Sequence, residues 1–167
     1  MWQGGHPANP SLTSTSSDMS GAASRNRGAN AERAVVNYLK AEGWLHARRV
    51  LAGDGHQHSD IECWAGISIE IKDRTSSSWP SWREQAVEQA RPGDLIVVTR
   101  RTRGTPDVGQ WPAQMPQRDY IWIGGKGLLP FPCPRLKELW VETTFANVCT
   151  LVRATGEEND ALRRRTT

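Results

Sequence analysis

The chain has 167 residues, 37% of them hydrophobic and 23% charged, with a net charge of +3 and a pI near 9.0. That length carries one domain with a real core, the low apolar fraction implies that part of the chain stays outside it, and the mild basicity permits a nucleic-acid partner without requiring one. No apolar run approaches the ~20 residues of a membrane helix, and the polar start MWQGGHPANPSLTSTSSDMS lacks the basic and apolar regions of a secretory signal, so a soluble, cytoplasmic protein without a membrane partner is expected.

Residues 1–27 are rich in Gly, Ser, Thr, Asn and Pro and read as a disordered arm with Arg25 and Arg27 at its inner end. A folded domain is expected over 28–155. It opens with NAERAVVNYLKAEGW, a helix capped by Asn30, carrying Ala34, Val35, Tyr38 and Leu39 at helical spacing and ended by Gly43. HARRVLAG is a strand candidate and DGHQHS a polar turn. DIECW and ISIEIK follow as two strands of a hairpin around Ala65 and Gly66.

WREQAVEQA reads as a second helix, stopped by Pro92 and Gly93, and DLIVVTR as a central strand buried on both faces. DYIWIG and ELWV are further strand candidates, and TTFANVCTLVRAT a helix ended by Gly156. Residues 156–167 close on Arg163, Arg164 and Arg165 and read as a flexible tail. The element order predicts an α/β fold, a single mixed sheet flanked by helices. No ββα zinc unit and no Walker or Rossmann glycine loop is present.

The chemistry concentrates in SDIECWAGISIEIKDR. With a period of two, Ile67, Ile69 and Ile71 share one face of the strand, and Ser68, Glu70 and Lys72 the other. A hairpin would set the Asp60 carboxylate beside Glu70. Two adjacent carboxylates repel unless a cation lies between them, and hard oxygen donors suit Mg²⁺, with Mn²⁺ as a substitute. Lys72 would then orient water or offset charge on a phosphate. A surface hairpin with an exposed ion pair is the plain alternative.

Asp60, nine residues and then Glu70-Ile71-Lys72 resemble the PD-(D/E)xK nuclease motif, with Ser59 where the motif has proline. The helix GANAERAVVNYLKAEGW with Glu32, then Arg48 and Arg49, SWREQAVEQA and GDLIVVTRR, resemble in order and spacing the archaeal- and phage-type Holliday-junction resolvases. The resemblance implies a restriction-endonuclease-like fold and a Mg²⁺-dependent DNA endonuclease nicking four-way junctions as a homodimer, encoded by a phage or its bacterial host. It implies Asp60 and Glu70 as metal ligands, Glu32 as an additional acidic ligand and Lys72 as partner of the attacking water. Gln85, more than Gln89, would approach from the second helix.

Around this centre, Arg25, Arg27, Arg48, Arg49, Arg74, Arg100, Arg101 and Arg103 are expected to neutralise phosphates. Trp79 and Trp82 in SSSWPSW are read either as platforms for unpaired bases or as dimer anchors. Trp44, Trp64, Trp122 and Trp140 are assigned to the core. Glu62 is placed on the hairpin surface. His56 and His58 lack the spacing of a zinc site, and lie either in a loop over the active site or in a solvated loop. Cys63, Cys133 and Cys149 form no CxxC pair and read as reduced thiols.

Overall fold

Apolar residues at helical spacing on one side of NAERAVVNYLKA need a sheet to cover them, and that demand sets the layering. The computed structural model describes residues 1, 16–51, 58–63, 66–74, 78–124 and 139–154. Helix α1 (Ser16–Ala41) buries Ala31, Val35 and Leu39. It begins well before Asn30, which lies inside it and accepts a bond from Arg33 Nη1 at 2.6 Å instead of capping. The expected disordered arm is therefore helical over 16–27. Once the docked half supplies the nucleus, the Ala- and Arg-containing turns ahead of it add bonds without a new nucleation cost. The helix ends as expected: Trp44 N reaches Leu39 O at 2.9 Å and Gly43 N reaches Lys40 O at 3.1 Å. Gly43 takes a φ of 100°, a conformation glycine adopts without penalty.

Strands β1 (Arg48–Arg49) and β2 (Ile61–Glu62) pair antiparallel, Arg48 opposite Glu62 and Arg49 opposite Ile61. Among the described residues, strand β3 (Ile67–Lys72) forms no regular hairpin ladder with DIECW. It pairs in parallel with β4 (Leu95–Arg100), from Ile67 opposite Leu95 to Lys72 opposite Arg100, with α2 (Trp79–Gln89) as the crossover. A helix between two β-branched runs favours this unit, because parallel neighbours need a long connection. The four-stranded sheet runs β3-β4-β5-β6 and is mixed.

DYIWIG, expected as a strand, is helical: α3 spans Gln117–Gly124. Tyr120 and Ile123, three apart, both turn toward the core, so a short apolar run satisfied either period. The strand position is taken by β5 (Pro112–Pro116), whose two prolines lie at its ends, outside the Val98–Gln114 and Thr99–Ala113 pairs with β4. β6 (Trp140–Thr144) completes the sheet, and a terminal helix, α4, occupies 145–154. Thr143 and Thr144, read as helical, belong to β6. Thr144 Oγ1 accepts from Asn147 N at 3.3 Å and starts α4. Gly156 and the tail 156–167 lie outside the described residues.

Alternation decides which side chain meets which helix. Ile69, Ile71, Val97, Ala113 and Met115 face α1 and α4 in the larger core, together with Trp111 and Phe145. Ile96 and Val98 face α2 through Trp82 and Ala86. Trp44 and Trp140 pack partly buried against the two cores. Trp64 and the Trp122 side chain lie outside the described residues. Between Asp107 and Trp111 the chain makes a short 3-10 turn, Val108–Gln110, against α1. A Cβ on Gly109 would stand 2.9 Å from Tyr38 Oη, and the Tyr38 ring is held by Phe145 at 5.8 Å between centroids. Gly109→Ala is therefore expected to lower stability by about 1–3 kcal/mol in urea titrations. Adding Tyr38→Phe, which removes the obstructing hydroxyl, should recover part of the loss.

Candidate active site

β3 reaches its site end with Glu70 and Lys72 on the α2 face, one strand step apart, and the consequences follow from burial. Glu70 is only 6% exposed, so its charge needs a partner. Lys72 Nζ donates to Glu70 Oε1, and also to Gln85 Oε1 at 2.8 Å. Gln85 stands exposed on α2, beside the buried Trp82 and Ala86, on the side that borders Lys72. Gln89 takes no part through its side chain; its carbonyl faces His58 Nδ1 at 2.9 Å.

Asp60 arrives from the segment that runs beside β3. Its backbone N–H donates to Ile69 O at 2.9 Å, and its Oδ2 accepts from Ile71 N at 2.6 Å. Ser59 fixes this crossing. Its hydroxyl accepts from Ile69 N at 2.8 Å and donates to Ile61 O at 2.6 Å, so one side chain straps the segment to the strand. A proline at this position would offer no hydroxyl. The Asp60 carboxyl is pushed up from 3.8 to about 7, first by burial and next by the Glu70 charge; Glu32 adds to the rise, while the Ile71 N–H and Lys72 oppose it.

Glu32 comes from α1. Its Oε2 accepts from Arg49 Nε at 2.6 Å, so the Arg49 charge is committed inside the protein rather than presented to a ligand. Arg48 is likewise ion-paired with Glu62, across β1 and β2. Both residues are expected to meet phosphates; the β1–β2 register puts Glu62 beside Arg48, and α1 puts Glu32 beside Arg49.

Glu32, Asp60, Glu70, Lys72 and Gln85 line one open cavity of about 460 Å³, whereas Arg48, Arg49, Ser59, Glu62 and Gln89 do not. Ser24, Gly28 and Glu32 form its α1 side, Asp60, Glu70 and Lys72 its floor, and Ser81, Trp82 and Gln85 its α2 side. Asp73 and Arg74 stand at the strand exit. Ser24 is not foreseen because it lies in the segment 1–27 read as disordered, and Gly28, the first residue of the expected domain, carries no side chain to draw notice. Asp73, which directly follows Lys72, carries no signal of its own in the sequence. Its carboxylate accepts from Arg101 Nη1 at 3.3 Å.

The tryptophans of SSSWPSW differ from expectation. They occupy the first turn of α2, meet edge to face at 5.4 Å, and Trp82 is buried against β4. Neither is a free platform: Trp79 is half-buried and carries the Arg100 guanidinium over its ring at 5.8 Å. Arg100 Nε is buried without a hydrogen-bond partner among the described residues. Arg25, Arg27 and Arg103 are exposed, Arg25 on α1 away from the cavity lining.

His58 lies with Cys63 and His46 on a separate cavity of about 380 Å³. His56 and Cys133 lie outside the described residues. Cys63 and Cys149 are free thiols, and burial raises the Cys149 thiol to about 12. Among the described residues, no three His, Cys, Asp or Glu side chains are grouped as a ready-made metal cage, and no helix is long and apolar enough to cross a membrane. No protein-family model matches the chain, and no curated protein or solved structure matches it.

Proposed function

We propose that this chain is a divalent-metal-dependent endodeoxyribonuclease of the restriction-endonuclease-like kind, whose substrate is a four-way DNA junction cut symmetrically by a homodimer. The observation that carries the reading is the convergence of Glu32, Asp60, Glu70, Lys72 and Gln85, from four segments distant in sequence, on one open cavity. A surface salt bridge would require only Glu70 and Lys72, and would not need Glu70 buried.

The donor set fits a hard cation. Asp60 is raised to about 7 by burial first and by the neighbouring Glu70 charge next, so both penalties fall on its anionic form, which a cation would favour. Mg²⁺ commonly takes one or two carboxylates and completes its shell with water and substrate phosphate, so it needs no full protein cage. Asp60 and Glu70 would hold the ion, with Glu32 as the additional acid beside them. When bound, it supplies a Lewis acid for the phosphoryl group and a more acidic water.

The chain's own residues do the positioning. Lys72 is held between Glu70 and Gln85, so its charge is fixed at the cavity floor. There it orients the attacking water and offsets the negative charge that builds during in-line displacement at phosphorus. Gln85 is a positioning residue, acting through Lys72. The products would be a 5′-phosphate and a 3′-hydroxyl. The choice of a junction rests on the resemblance of α1 and the segments after it to junction resolvases, and two symmetric cuts match a two-fold dimer.

The test is cleavage of a labelled four-way junction and a matched linear duplex, with Mg²⁺ or EDTA, by wild type and Asp60→Ala. Symmetric nicking of the junction, dependent on Mg²⁺ and lost in the variant, is expected. Equal cutting of the linear duplex would move the reading to a restriction- or repair-type endonuclease on the same fold. Tight binding with no cutting would leave a non-catalytic DNA-binding protein.

A further inference from the structure

Beside the catalytic cavity lies a second one of about 450 Å³, and Asp73 belongs to the lining of both. The two differ in charge. The first gathers Glu32, Asp60, Glu70 and Asp73 against Lys72 and Arg74. The second gathers Arg27 of α1 with Arg101 and Arg103 of the loop after β4, and Asp73 is the only carboxylate in its lining among the described residues. Arg101 leans on Asp73 at 3.3 Å with its side chain still 40% exposed. Among the described residues, neither Arg27 nor Arg103 has an ion-pair partner. The hydroxyl residues Thr102 and Thr105 also line it, with Gly104 and Pro106.

We infer that this cleft is a second phosphate seat, which holds the phosphate next to the scissile one on the same DNA strand. The inference rests on the nuclease reading for the word scissile, and on the cleft's own charge for the phosphate. Three guanidinium groups brought together from a helix and a loop repel one another, and an anion between them removes that penalty. Planar guanidinium donors match phosphate oxygens in pairs, and hydroxyls add donors that a carboxylate-rich site would not use. Asp73 stands between the two charge regimes: it lines both cavities and accepts from Arg101 of the basic one. A strand crossing Asp73 would thus meet a cation-seeking pocket at one phosphate and a cation-supplying pocket at the next. The helical turn carrying Ser24, Arg27 and Gly28 forms a side of both cavities, so the two seats are set by one rigid element.

The experiment is binding of a labelled four-way junction in EDTA at several salt concentrations, by wild type and the Arg27→Ala/Arg103→Ala variant. Both side chains are exposed, so folding is retained and is checked by circular dichroism. The variant is expected to bind about 10-fold more weakly, and its plot of log affinity against log salt to be shallower by about 1. A single methylphosphonate, scanned along the strand, should weaken wild type at one position and leave the variant unaffected there. An unchanged slope, or methylphosphonate losses that simply add to those of the variant, would overturn the seat. If wild type cuts with Mg²⁺ while the slope is unchanged, only the seat fails. If the slope changes but nothing is cut, the seat stands as a DNA contact and the nuclease reading fails. A wild type that binds no DNA overturns both.

Discussion

Replacing Asp60 by asparagine is expected to lower junction cleavage by at least about 10³-fold and, in metal-free buffer at pH 8, to make the fold more stable. The first effect exceeds the 10–100-fold that follows loss of a group merely supporting a ligand. The second follows from the sign of the shift. The Asp60 carboxyl titrates near 7 in the folded protein against 3.8 for an unperturbed group, so between those values the folded state holds the proton more firmly than the unfolded chain. The stability of the wild type therefore falls as pH rises from about 4 to 7 and then levels off. Asparagine carries no charge, and its side-chain oxygen still accepts from Ile71 N. The variant should gain about 1–3 kcal/mol at pH 8, below the figure for the full shift because Asp60 is partly exposed, and almost nothing at pH 4. Thermal melts across that range are the measurement. Saturating Mg²⁺ should close the gap by stabilising wild type and leaving the variant nearly unmoved. A gap that is constant with pH would mean that the two carboxylates do not strain the fold.

Lys72→Met is expected to abolish cleavage to a similar degree with the opposite effect on stability. Glu70 is buried, and Lys72 is the cation it contacts. Breaking a buried pair from one side costs about 3–5 kcal/mol, and the lower end applies because the cavity is open. Urea titration would register this as a lower midpoint with an unchanged slope. Adding Glu70→Gln removes the stranded charge and should restore most of the stability while restoring no activity. That separation distinguishes loss of chemistry from loss of fold. Gln85→Ala, which frees Lys72 on one side only, should cost about 10-fold in rate. Junction affinity in EDTA should change little in Lys72→Met; cleavage within 10-fold of wild type would remove Lys72 from its role at the attacking water.

Much of this site is legible in the residues, because strand periodicity is rigid. Once ISIEIK is a strand, Glu70 and Lys72 must share a face, and the apolar run LIVVTR supplies a neighbour for it. Helical spacing likewise directs Gln85 and Gln89 to roughly one side of α2, though only packing decides that Gln85 meets Lys72. What was not legible has a common cause: it depends on partners far along the chain. DYIWIG fits strand or helix until β5 fills the sheet position, and PAQMP hides as a strand because its prolines count against it. Arg48 and Arg49 look available until the β1–β2 register and α1 give them carboxylates. The helical state of 16–27 depends on the docking of residues that follow it.

Ser59 and Asp60 have a second consequence, because β3 is the outermost strand of the four-stranded sheet. Its outward amides at Ile69 and Ile71 are taken by the Ser59 hydroxyl and the Asp60 carboxylate. An outer strand with open amides is a template for another chain, and natural proteins block such margins. Here the blocking groups belong to the cavity segment itself. A substitution such as Asp60→Ala, which lacks the oxygen that asparagine keeps, would release one amide and invite strand-to-strand self-association. Solubility and the proposed chemistry are thus carried by the same short segment, and neither can drift far without the other.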